Sequence, residues 1–242
     1  MSYIFREHIK QSLAVIAFLM TLTACTSESY DAGDGPNSYL TADLVLLHTS
    51  QDKSVRSALL DDGTTLQFSN PFAQDWLTRP DSVYRALLYY DKTVAASDAA
   101  ASNPTATSIV RARSVRPVSV LRPVEAEDME TLRTDPVGFE SLWMSKNKSY
   151  INLSLLLKSG KTEADDALHA LGIVSHGTTT DADRRRTLHL TLYHDQGGVP
   201  AYYTVQQYVS IPTQLLEEAD TVELTLNTYN GKKVMKVAVS NL

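Results

Sequence analysis

The chain has 242 residues and a formal net charge of −6, with 43% hydrophobic and 21% charged residues, nine prolines, ten glycines and one cysteine. That is material for one large or two small domains of ordinary globular composition, and it excludes the disordered, collagen-like and coiled-coil classes. The acidic balance argues against a nucleic-acid partner, because neutralising phosphates takes a surplus of lysine and arginine on one face.

The N-terminus has the order of an export signal. Arg6 and Lys10 precede an apolar run from Leu13 to Leu22, and the small-residue site Thr23, Ala24 and Cys25 follows. The run reaches about half of the roughly 20 residues that a membrane-spanning helix needs, so a cleaved signal is expected rather than a permanent span. Leu22, Thr23, Ala24 and Cys25 resemble the bacterial lipobox, in which signal peptidase II cuts before a cysteine whose thiol carries a diacylglycerol thioether. Cys25 has no possible disulfide partner in the chain, so the mature protein has to be stabilised by an apolar core. Several acyl chains anchor durably where a single one holds only marginally. Residues 1–24 are therefore expected to be a lipoprotein signal peptide and residues 25–37 a lipidated, flexible stalk of small, polar and acidic residues. Thr26 stands where, in enteric bacteria, an aspartate would retain a lipoprotein at the inner membrane. This points to an outer-membrane, lipid-anchored protein facing the periplasm or the cell surface, with the membrane as a partner through the lipid.

From Tyr39 onward short apolar stretches alternate with turn signals, and hardly any window holds a helical period, which predicts an all-β protein. Ala42, Leu44, Leu46 and His48 alternate with Asp43, Val45 and Leu47, and Val55 to Leu60 leads through Asp61, Asp62 and Gly63 into Leu66 and Phe68. Asp-Gly between extended runs predicts a hairpin, since glycine takes the positive φ of the turn. Ser82 to Tyr90 and Thr107 to Val120 predict two more strands around a low-complexity loop, Thr93 to Thr105, expected to be mobile. Proline punctuation and the acidic stretch from Glu125 to Thr134 place a boundary near residue 125, giving domains over 38–125 and 126–242. The first part, counted from Pro36, carries nine basic against nine acidic residues and the second eleven against fifteen, so neither is a basic module. Beyond the boundary the alternation sharpens in Leu188, Leu190 and Leu192 and in Val222, Leu224 and Leu226. Gly197 and Gly198 read as a hairpin turn, Asn230 and Gly231 separate the last two strands, and Pro212 opens one helical turn over Thr213 to Ala219.

In pattern and order the chain resembles the NigD-like lipoproteins. Leu142 and Trp143, then Tyr150, Ile151, Asn152 and Leu153, look like that family's Trp followed by a Tyr-Leu-Asn strand. His169 with Leu171 and Val174 looks like its His-x-x-x-Leu-Val strand with altered spacing. Leu188 to Asp195, through His189 and His194, followed by Tyr202 and Tyr203, is similar to its strand ending in Arg-His and the aromatic strand after it, with Tyr193 in the arginine's place. The resemblance implies an N-terminal OB-type barrel and a C-terminal β-sandwich. It carries over no catalytic residues, and bacteriocin immunity only as an association of the family's name.

The chemistry-bearing residues read mainly as structural. His189 and His194 stand five apart on one strand and so face opposite sides, where they cannot jointly grip a metal, and no HExxH pattern appears. Ser175 lies between Gly172 and Gly177 at the wrong spacing for a nucleophile elbow. Gly33 and Gly35 fall in the stalk, so no phosphate-cradling loop is expected. Arg111, Arg113, Arg116 and Arg122 lie in or beside one strand, and barrels of the implied shape often bind single strands or sugars on a sheet face. Arg111 and Arg113 share a face, with Arg116 opposite unless a bulge intervenes. Arg184, Arg185 and Arg186, after Asp181 and Asp183, read as a charged hairpin loop. Adjacent tyrosines, Tyr89 with Tyr90 and Tyr202 with Tyr203, are expected to place one ring inward and one outward, where outward rings suit sugars or a protein interface. Trp143 is expected in the core. The expectation is a non-enzymatic envelope binding or interaction module with an unknown protein or glycan partner, no metal and no cofactor. Carbohydrate binding or processing near Arg111 and Arg113, and bacteriocin immunity, are the alternatives.

Overall fold

The computed structural model describes residues 40–92, 108–161, 168–216 and 219–239. The expected signal peptide, the stalk with Cys25, Gly33 and Gly35, and the loop from Thr93 to Thr105 lie outside the described residues. Within them the chain is built of strands, as its period-two alternation requires.

The first five strands are β1 (Leu40–Thr49), β2 (Val55–Leu60), β3 (Thr65–Phe72), β4 (Val83–Lys92) and β5 (Ser108–Pro117). They close into a barrel in the order β1-β2-β3-β5-β4, with β3 and β5 parallel and β4 closing antiparallel on β1. This is the five-stranded Greek-key closure of an OB-type barrel. Asp61, Asp62 and Gly63 make the β2–β3 turn with Gly63 at φ 88°, as the Asp-Gly signal predicts. Between β1 and β2 the Asp52 carboxylate accepts from the hydroxyls of Ser54 and Ser50 and from the Ser54 backbone, which brings its pKa down to about 2. Val45, Leu47, Ala58, Leu66, Ala86 and Leu88 fill the interior. Each large aliphatic side chain so buried contributes about 1.5–3 kcal/mol.

The remaining strands are β6 (Ser119–Val120), β7 (Pro123–Glu125), β8 (Gly138–Met144), β9 (Tyr150–Ser159), β10 (Ala170–Thr180), β11 (Arg186–Asp195), β12 (Tyr203–Pro212), β13 (Thr221–Thr228) and β14 (Gly231–Ala238). They form a five-stranded sheet, β14-β13-β11-β10-β7, facing a four-stranded one, β6-β12-β9-β8. Ile151, Leu153, Leu155 and Leu157 of β9 interdigitate with Ile173, Leu190, Leu192 and Leu224 of the opposite sheet to make the larger core. β6 and β7 already pair with β12 and β10, so the chain crosses from barrel to sandwich at Val118, upstream of the expected cut at residue 125.

Three local expectations change. β11 and β12 belong to different sheets, so Gly197 and Gly198, at φ 60° and 78°, make a crossover between sheets and not a hairpin turn. Thr228 pairs with Gly231, so the β13–β14 turn is centred on Tyr229 and Asn230, and Gly231 takes the left-handed φ of 103° at the start of β14. The helical turn after Pro212 is a short 3₁₀ turn, Thr213–Leu215.

Candidate functional site

The strand β4 reads Val-Tyr-Arg-Ala-Leu-Leu-Tyr-Tyr from Val83. Alternation sends Ala86, Leu88 and Tyr90 inward, which leaves Arg85, Leu87 and Tyr89 on the outside of the barrel. Arg85 and Leu87 are nevertheless buried, because the outer face of the four-stranded sheet covers them. Leu44, Leu87 and Val118 form a small apolar junction there, with Tyr89, Trp143 and Tyr208 packed against it.

The guanidinium of Arg85 is the polar centre of this junction. Its Nη1 and Nη2 donate to the two carboxylate oxygens of Asp61 at 2.5 and 2.7 Å, its Nε donates to Ser210 Oγ at 3.2 Å, and Nη2 also donates to Asn152 Oδ1 at 3.1 Å. Ser210 Oγ donates to the same Asn152 oxygen at 2.7 Å, and the ring of Tyr150 lies 4.3 Å from the guanidinium carbon. A bidentate carboxylate with neutral acceptors around it is the arrangement that offsets the desolvation of a buried charge. Asp61 comes from the barrel turn, while Asn152 and Ser210 come from the sandwich, so the network clamps the two together. Sequence reasoning missed it. The signal present was a single arginine inside an apolar strand, and Asn152, which carried the family likeness, is the sandwich's half of the clamp.

Beside the clamp is a cleft of about 380 Å³, bordered by Ala42 and Leu44 of β1, Leu87 and Tyr89 of β4, and Trp143 and Tyr208 of the sandwich. Trp143 and Tyr208 stand edge to face, with ring centroids 6.3 Å apart at 82°. Trp143 is half-buried in this wall and not in the core as expected, because its neighbours on β8, Leu142 and Met144, are the ones that pack inward. At the rim, Asp62 faces Lys146 at 4.0 Å and accepts from the backbone N–H of Thr64. Burial opposes its ionisation, but the Thr64 hydrogen bonds and Lys146 together hold its pKa below the ordinary value. A second recess of about 730 Å³ opens on the other side of Arg85, between Val83, Arg122 and Tyr150.

The arginine face is arranged differently from the simple alternation. Tyr89 pairs with Ser114 and Tyr90 with Ala112, so Arg113 is an extra residue in β5, a bulge. Val110, Ala112 and Val115 consequently point inward, while Arg111, Arg113 and Arg116 are all exposed. Arg113 is paired with Asp91, whereas Arg111 and Arg113 also border a recess of about 240 Å³ beside Phe72. Arg122 lies exposed beyond β6. Arg184 to Arg186 lie at the β10–β11 hairpin, where Asp181 accepts from the backbone N–H groups of Asp183 and Arg185.

The histidines separate as alternation requires. His189 bonds Thr179 and Glu223 on the outside, whereas His194 is buried, with Nε2 3.0 Å from His169 Nδ1 and Nδ1 3.0 Å from the Asp135 carbonyl. Burial, and then the neighbouring His194, lower the His169 pKa. His48 and His176 are exposed, and among the described residues no three metal-ligating side chains converge. Ser175 is buried and its oxygen accepts from the Gly177 N–H. Tyr90 points inward and donates to Asp43 while Tyr89 turns outward, so the pair splits between the two sides as expected and the structure decides which ring takes which. Tyr202 and Tyr203 are both exposed, since Tyr202 precedes the strand and escapes its alternation.

Residues 120–239 match the model of the NigD-like C-terminal beta sandwich domain. This chain is NigD-like. No curated protein matches it. Among solved structures, a NigD-like immunity protein from Bacteroides caccae is similar at 23% identity, with a TM-score of 0.59, over 81% of this chain and 91% of that one. A candidate lipoprotein from Bacteroides fragilis is similar at 15% identity, with a TM-score of 0.57, over 83% and 98%. A protein of unknown function from Bacteroides vulgatus is similar at 16% identity, with a TM-score of 0.56, over 82% and 90%. At such identities these likenesses establish the shared fold. Among the described residues, no helix of the NigD-like chain is long and apolar enough to cross a membrane.

Proposed function

We propose that this NigD-like chain is a non-enzymatic, outer-membrane lipoprotein, cleaved after Leu22, Thr23 and Ala24 and lipidated on Cys25, that works by binding a ligand at the junction of its two β-units. One observation carries the reading: barrel and sandwich together build a cleft of about 380 Å³ with three aromatic side chains in its walls, within the range of small-molecule sites. The Arg85 clamp supports it, because hydrogen bonds across the junction hold the two halves of the cleft in fixed geometry, and preorganised sites bind better. The anchor draws support from the lipobox residues and from the Bacteroides fragilis structure, which is a candidate lipoprotein of the same fold. Labelling cells with an alkyne fatty acid tests it: the wild type is labelled and Cys25→Ser is not, and equal labelling refutes the anchor. A photo-cross-linking residue at position 42, an exposed alanine on the border of the cleft, tests the cleft in living cells against the same residue at exposed position 67. Adducts at 42 no more frequent than at 67 would remove the cleft as a binding site.

A second reading, bacteriocin immunity, has in its favour the Bacteroides caccae structure, described as an immunity protein. Deleting the gene must then sensitise cells to a particular toxin, and an unaltered killing curve removes it.

A further inference from the structure

We propose that the junction cleft takes a small organic cation, with an ammonium or quaternary ammonium head seated against Tyr89, Trp143 and Tyr208; this deepens the binding reading and rests on it. The first argument is the shape of the aromatic wall. Trp143 and Tyr208 meet nearly at right angles, at 82°, and Tyr89 shares their apolar base of Leu44 and Leu87. In such an edge-to-face pair one face is met by the partner's edge, and a ring face that is not covered in this way carries the negative π-charge that attracts a cation.

The second argument is how the chain uses its own cations. Arg85 lies 4.3 Å from the centre of the Tyr150 ring, Lys233 lies 4.2 Å from that of Phe139, and Lys158 lies 5.9 Å from that of Tyr229. Among the described residues, no such cation lies over Tyr89, Trp143 or Tyr208. The chain's own cations therefore do not occupy the faces that the edge-to-face contact leaves uncovered.

Charge gives the third. The carboxylates bordering the cleft are Asp43, Asp61 and Asp62, and its one bordering cation is Lys146. Counting Arg85 behind Asp61 as well, three carboxylates against two cations leave one surplus negative charge. Lys146 is 82% exposed and 4.0 Å from Asp62, so it can leave the rim for water when a cation enters.

Trp76 and Trp143 are the two tryptophans of the chain, so Trp76→Phe makes Trp143 the sole indole reporter, located in the cleft. Titrating that protein with choline is expected to change the Trp143 emission, and with affinity on the order of tenfold above the neutral isostere 3,3-dimethylbutan-1-ol. Tyr208→Leu and, separately, Tyr89→Leu must each abolish this preference while keeping the urea midpoint of a folded protein. Equal affinity for choline and its isostere, or no response of Trp143 to choline, overturns the proposal. A response to chitotriose without one to choline also overturns it and assigns the cleft to a neutral glycan. In that case the binding reading survives, and the cross-links at position 42 judge it separately.

Discussion

Replacing Asp61 by alanine strips a buried guanidinium of its counter-ion. The Arg85 side chain is 1% exposed, and its other acceptors, Ser210 Oγ and Asn152 Oδ1, are neutral. Removing one partner of a buried ion pair costs about 3–5 kcal/mol, since the remaining charge keeps its desolvation penalty and loses its compensation. Asp61 is itself 19% exposed, so water reaches the emptied position and the low end applies, about 3 kcal/mol. For a unit of this size each kcal/mol moves Tm by roughly 2–4 °C, so a drop of about 6–12 °C is expected in calorimetry. Adding Arg85→Met must recover part of the loss, because an apolar side chain needs no counter-ion. A drop below about 2 °C for Asp61→Ala, or no recovery in the double variant, would refute the reasoning that a desolvated ion pair clamps barrel to sandwich.

The His169 imidazole is held below its ordinary 6.5 in the folded protein, so the folded state binds its proton less readily than the unfolded chain. Its contribution to stability is full above that pH and is lost as pH falls from 6.5 through the folded value. Urea midpoints followed downward from neutrality must decline, and His169→Gln must flatten the upper part of that decline; an unchanged profile refutes the assignment. Gly138→Ala places a Cβ 2.7 Å from Leu156 Cβ and 3.2 Å from the Leu156 carbonyl oxygen, so the β8–β9 ladder has to shift, costing about 1–3 kcal/mol by urea unfolding. A neutral substitution there would show that β8 gives way freely. Leu153→Ala, in a fully buried position of β9, is expected to cost about 2–5 kcal/mol in the same assay, and a loss under about 1 kcal/mol would contradict its place in the core.

Local sterics made much of the fold legible in advance. Alternation along β11 put His189 and His194 on opposite faces, and the same rule split Tyr89 and Tyr90 between the two sides of β4. The Asp-Gly turn closed β2 onto β3 because only glycine tolerates the φ of 88° at position 63. What alternation cannot say is what a face meets. Alternation sets Arg85, Leu87 and Tyr89 on one face of their strand, while the tertiary structure decided that this face lies outside the barrel and that part of this outside is an interior. The contacts that bury Arg85 reach Asn152, 67 residues on, and Ser210, 125 residues on, too distant for any local pattern to record. The bulge at Arg113 and the sheet change between β11 and β12 are of the same kind: each follows from which strand lies alongside, a matter of closure and packing that no neighbouring residue determines.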